Sequence, residues 1–72
     1  MENDHKFRIQ LGNKIKQTRL TLGLTLQELS FRTKISVTHI NTIEKGKSAI
    51  TLEKFLRITK ALKKDIQFFL DT

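Results

Sequence analysis

Residues 26–45 read LQELSFRTKISVTHINTIEK. Two short runs with apolar residues three and four apart flank a tight break at Thr33-Lys34-Ile35. Gly23-Leu24-Thr25 precedes them and Gly46-Lys47-Ser48 follows. Spacing of three and four is the period of a helix face, whereas a strand would alternate by two. Thr25 and Ser36 each stand where a hydroxyl can cap a helix. The stretch is therefore expected to form two short helices joined by a turn, closed at both ends by glycine.

Working outward, the pattern stays helical. A first helix is expected over residues 6–22, with Phe7, Leu11, Ile15 and Leu22 as its inner stripe and Gly23 as its left-handed terminus. Thr25-Leu26-Gln27-Glu28 fits a capping box, in which threonine and glutamate satisfy each other's main-chain amides. Leu29, Ile40 and Ile43 point inward. A fourth helix starts near Thr51, with Leu52, Phe55, Ile58, Thr59 and Leu62 inward. Asp65 caps a short fifth helix over residues 66–70. On the last helix, Ile66, Phe69 and Leu70 suffice for the core, leaving Phe68 spare. The expected architecture is all-α: one compact five-helix domain over residues 1–72. Its β-branched residues recur at helical rather than strand spacing.

Composition narrows the function. Fourteen Lys and Arg against seven Asp and Glu give a net charge of +7, a strong field on so small a body and one that favours polyanions. The chain has no cysteine and only two histidines. No disulfide and no Cys/His zinc site are therefore expected, and no metal or other cofactor. No nucleophile–base constellation or glycine-rich phosphate loop is present, so an enzyme is not expected. No apolar run approaches the roughly 18–20 residues needed to span a bilayer, and the polar N-terminus has no signal-peptide pattern. No membrane partner and a cytoplasmic location are the corresponding expectations.

A basic domain containing two helices and a tight turn has the layout of a helix-turn-helix, whose second helix enters the DNA major groove. Double-stranded DNA is thus the expected partner, with the segment 36–45 in the groove. Its outward positions, Val37, Thr38, Asn41 and Thr42, are the candidates for base contact. Asn41 is the best single candidate, since its amide can bond adenine N6 and N7 together, while the threonine and valine methyls can pack on thymine. Absence of arginine from this face favours A·T-rich contacts. Gln27, Lys34, Ser36, His39, Lys45, Lys47 and Ser48 are the candidates for phosphate contact, together with main-chain amides around Gly46. His39 has the alternative of packing at the core edge. Lys14 and Lys16 read as solvated, and Lys60, Lys63 and Lys64 as facing away from DNA.

These residues resemble the phage repressor and Cro-like (Xre-type) helix-turn-helix family over residues 11–70. The resemblance rests on Leu11-Gly12, Ile15-Lys16, Arg19, Gly23-Leu24-Thr25 and Gln27-Glu28-Leu29-Ser30. It continues through Ile35-Ser36, Ile40, Ile43-Glu44-Lys45-Gly46, Thr51-Leu52, Ile58 and Ala61-Leu62. It implies a dimeric binder of inverted-repeat DNA that regulates transcription, and an ion pair between Arg19 and Glu44. Ala49-Ile50-Thr51-Leu52 and Phe68-Phe69 are similar to restriction–modification controller proteins. The chain departs from the family pattern at Leu26, where a glutamine is usual, at Lys34 and Lys63, where glycines are usual, and at Ile50, where proline is usual. Ile66, Phe68 and Phe69 are the candidate homodimer face, with Phe68 alternatively folded over the core edge. Phe31 faces outward where the family often places a charge. The rival function is an antitoxin-like or accessory module whose main partner is another protein. RNA binding is weaker still, because no aromatic stacking platform is visible.

Overall fold

The computed structural model of the chain describes residues 2–71, with side chains from residue 4. Five helices follow one another: α1 Glu2–Thr21, α2 Leu26–Thr33, α3 Val37–Glu44, α4 Leu52–Ala61 and α5 Ile66–Leu70. No strand occurs among the described residues.

Each boundary has a local cause. Thr25 Oγ1 accepts from the Glu28 amide and Glu28 Oε1 accepts from the Thr25 amide, both at 3.0 Å, which is the reciprocal capping box. Ser36, Thr51 and Asp65 cap α3, α4 and α5 by accepting from the amides of His39, Lys54 and Phe68. Three helices end in the same paired-bond motif. Around Gly23 the amide of Leu24 reaches Arg19 O; around Gly46 that of Lys47 reaches Thr42 O; around Lys63 that of Lys64 reaches Thr59 O. The residue at the bend is left-handed in each case, at φ 72° for the two glycines and 59° for Lys63. Lys34 ends α2 with φ 59° and a single bond from its amide to Ser30 O.

The core gathers Leu11, Ile15, Leu24, Leu29, Ile35, Ile40, Ile43, Phe55, Ile58, Leu62 and Phe69 from all five helices and the joints between them. Four positions differ from the sequence expectation. Phe7 and Leu22 on α1 are exposed. Leu22 precedes the reversal at Gly23, and the chain inserts Leu24 in its place. Thr18 and Arg19 complete the buried face of α1. Leu52, in the first turn of α4, is 67% exposed, and Ile50 packs partly against the core instead. Leu70 is also exposed, because Phe69 fills the space beneath α5 and packs edge-on against Phe55 with ring centroids 6.0 Å apart.

Gly12 sets the distance between α1 and α3. A Cβ there would lie 2.7 Å from Glu44 O and would collide with Ile43 O. The two helices therefore cross in near backbone contact, which fixes α3 against the longest element of the molecule.

Candidate nucleic-acid interface

The placement of α3 depends on a buried ion pair. Arg19 Nε donates to Glu44 Oε2 at 2.7 Å and Nη2 donates to Oε1 at 3.0 Å. Arg19 Nη1 donates to Leu24 O at 2.9 Å. One guanidinium thus ties α1, the α1–α2 joint and the last turn of α3 together. Its planar fork suits the bidentate carboxylate. Arg19 and Glu44 are only 6% and 7% exposed, so each charge depends mainly on the other. The pairing expected from the resemblance is present.

The turn before α3 is held by Thr33, whose buried hydroxyl donates to Leu29 O at 2.8 Å and accepts from the Ile35 amide at 3.3 Å. Ile35 enters the core and Ser36 starts the next helix. With Ile40, Ile43 and Glu44 buried, α3 turns Thr38 to solvent and leaves Val37, Asn41 and Thr42 partly exposed. The four candidate base-contacting residues are not equivalent. Thr38 is the most open. Thr42 Oγ1 donates to His39 O at 2.8 Å and lies 3.3 Å from Ser48 Oγ, so its methyl and one lone pair remain to face outward. Asn41 lines a cleft of about 310 Å³ against α1, beside Asn13, Lys16 and Lys45.

Gln27, Lys34, Ser36, Lys45 and Lys47 are exposed, and His39 and Ser48 are partly buried. Ser36 Oγ accepts the His39 amide at 3.1 Å, which leaves its proton available to an outside acceptor. His39 Nδ1 sits 3.3 Å from Lys54 Nζ, a contact that joins α3 to α4. The expectation of available amides around Gly46 is corrected. The amides of Lys45, Gly46 and Lys47 all bond to carbonyls of α3, because a paired-bond helix terminus consumes them. At the start of α2 the Glu28 amide is likewise taken by its cap.

Lys16 and Lys54 were not among the sequence candidates. Lys16 stands three residues before Arg19, one turn along the helix, and that spacing is a readable sign that it shares the face of α1 turned toward α3. The contact of Lys54 with His39 spans fifteen residues and has no such local sign.

Of the three candidate homodimer residues, Phe69 is corrected. Phe69 has no exposed surface, since it closes the core between Phe55 and Phe68, and it offers nothing to a second copy. Phe68 is partly buried between two lysines, with Lys14 Nζ 4.4 Å and Lys64 Nζ 4.8 Å from the ring centroid. Lys14 Nζ also donates to Asp71 O at 2.7 Å. Lys14 thus holds α5 to α1 and is more than a solvated charge, while Lys64 braces the same ring from the joint before α5. Ile66 is partly buried and Leu70 exposed four residues later. Leu70 is therefore the open apolar residue of α5, with Ile66 one turn before it packed partly against the core.

The helix-turn-helix family model matches residues 15–69, which is most of the chain. The chain belongs to the Xre-type helix-turn-helix family. This DNA-binding domain has the ion pair, the capped turn and the exposed α3 face described above. No curated protein matches the sequence. No helix among the described residues is long and apolar enough to cross a membrane.

Proposed function

We propose that this helix-turn-helix protein is a transcriptional regulator that binds an inverted-repeat operator as a homodimer, with α3 in the major groove. The observation that carries the reading is the outer face of α3. Thr38 is open, Val37 and Thr42 border it, and Lys34, Lys45 and Lys47 stand at its two ends. Hydroxyls and methyls at the centre suit base edges, and flanking lysines suit phosphates. Thr38 is the principal base-contacting residue, Val37 and the Thr42 methyl pack on thymine methyls, and Asn41 contacts the groove from the α1 side. Gln27, Ser36 and Ser48 add hydrogen bonds to the backbone, while His39 positions α3 through Lys54.

The role proposed is binding, with no catalytic step. The protein acts in the cytoplasm, where its DNA lies. Ile66 and Leu70 form the dimer contact, with the edge of Phe68 beside them. Two copies would place half-sites about one helical turn, roughly 34 Å, apart.

Selection from a random duplex library at about 150 mM salt tests the reading, with Thr38→Ala/Thr42→Ala run in parallel. Recovery of an inverted repeat by the native protein alone is the expected result. Binding that depends on salt but not on sequence, equal for both proteins, would remove α3 as the reader.

A further inference from the structure

Two concavities meet at Arg32, on the side of the molecule formed by α2 and α4. One, of about 450 Å³, is lined by Arg32, Thr33, Lys34, Arg57, Lys60 and Ala61. The other, of about 380 Å³, lies along α2 between Gln27, Glu28, Phe31 and Arg32. Four cations line the first. Two carboxylates stand near these cations among the described residues: the exposed Glu53, 3.5 Å from Arg57, and Glu28, which is near enough to Arg32 to feel its charge but is engaged by the Thr25 amide. The second is built on Phe31, which is 86% exposed, the most exposed large apolar residue among those described.

The combination selects the chemistry of the occupant. Four cations around one cleft call for an anion, and guanidinium groups pair with carboxylates as readily as with phosphates. A nucleic-acid backbone satisfies the cations but gives an exposed aromatic ring on the adjoining helix face nothing apolar to pack against. A protein segment with several carboxylates and a large apolar side chain satisfies both halves. Solvent-exposed aromatic rings beside arginines are also the residue types that anchor protein interfaces.

We propose that the α2–α4 side of the domain docks an acidic protein segment. Arg32, Arg57 and Lys60 receive its carboxylates and Phe31 receives an aliphatic or aromatic side chain. The surface shares Lys34 and Gln27 with the DNA-facing side, but Phe31, Arg32, Arg57 and Lys60, which carry the assignment, have no part in the operator-binding reading.

The test uses the full isotope-labelled chain followed by amide chemical shifts. The probe is a synthetic peptide of roughly twelve residues, glutamate-rich with two central leucines. A leucine-free glutamate peptide and a random-sequence DNA duplex are compared at about 100 mM salt, where exposed charges more than a Debye length apart are screened. The expected result is saturable shifts confined to residues 31–34 and 57–61. Arg57→Gln/Lys60→Gln should weaken both peptides about tenfold. Phe31→Ser should weaken only the leucine-containing peptide, by about three- to tenfold. All three side chains are exposed, and unchanged melting of the variants verifies their fold. Lys34 is left intact because it also borders α3 and holds a left-handed turn. Shifts spread over every basic face, absence of binding, or binding indifferent to these variants would overturn the proposal. So would a duplex that moves the amides of residues 31, 32 and 57–61, since the cleft beyond Lys34 would then belong to the phosphate backbone.

Discussion

Arg19 and Glu44 show how one pair of residues can control a function neither performs. Both are buried, and each is the main hydrogen-bond partner of the other. Glu44→Ala would strand a guanidinium in the interior, at a cost of about 3–5 kcal/mol. Urea unfolding should register that loss, and DNA affinity should fall with it because α3 is no longer held. An unaltered unfolding midpoint would contradict the role assigned to the pair. Glu28 gives a smaller, pH-dependent effect. Hydrogen bonds from the main chain and then the side chain of Thr25 lower its pKa below 4.5, with Arg32 adding to the effect. A depressed folded-state pKa means stabilisation that is present above the unfolded value and lost as pH falls through the folded one. Glu28→Gln should therefore destabilise the domain near neutrality. Its difference from the native protein should shrink as the pH is taken down from 4.5, which thermal melting across that range would follow.

At the scale of elements, the backbone approach of α1 to α3 and the helix termini can be separated by substitution. Gly12→Ala places a Cβ against the carbonyls of Ile43 and Glu44, both main-chain atoms of a packed helix. Overpacking of this kind costs about 1–3 kcal/mol, and here it also pushes α3 off its seat. Gly23 has a left-handed φ but no atom within 4 Å of a built Cβ, so Gly23→Ala should cost only the conformational strain, about 1 kcal/mol. Lys63 carries that same strain at φ 59°. Lys63→Gly should raise stability by about 0.5–1 kcal/mol, less whatever entropy glycine adds to the unfolded chain. Denaturant midpoints for the three variants should order as Lys63→Gly, native, Gly23→Ala and Gly12→Ala, from most to least stable.

For the whole molecule, the relevant quantities are charge and copy number. With a net charge of +7, the affinity for duplex DNA should fall steeply with salt. Lys45→Ala and Lys47→Ala should each reduce the slope of log affinity against log salt by about one if each lysine neutralises one phosphate. Unchanged slopes would remove those lysines from the interface. Leu70→Glu tests the second copy with less disturbance than a change at Phe68, whose ring is held by Lys14 and Lys64. Sedimentation should show a monomer for the variant and a dimer for the native chain. Native and variant chains sedimenting alike would place the dimer contact elsewhere.

The sequence by itself determined the all-helical class, the caps Thr25, Ser36 and Asp65, the start of α4 near Thr51, the left-handed turn at Gly23 and the two-helix motif around residues 26–45. These are local properties: a hydroxyl reaches an amide three residues away and an apolar face repeats every three or four, and both distances are written in the chain. Exposure of Phe31 and burial of Ile40 and Ile43 were legible for the same reason. The tertiary structure alone decided that Leu24 replaces Leu22 in the core, that Leu52 and Leu70 stay outside and that Phe68 is held between two lysines. It also decided that Lys54 meets His39, and that Arg32, Lys34, Arg57 and Lys60 surround one cleft. Those outcomes depend on which helix covers which side of its neighbour. A periodicity defines a face, but only packing between elements distant in sequence decides how wide a strip of that face is buried.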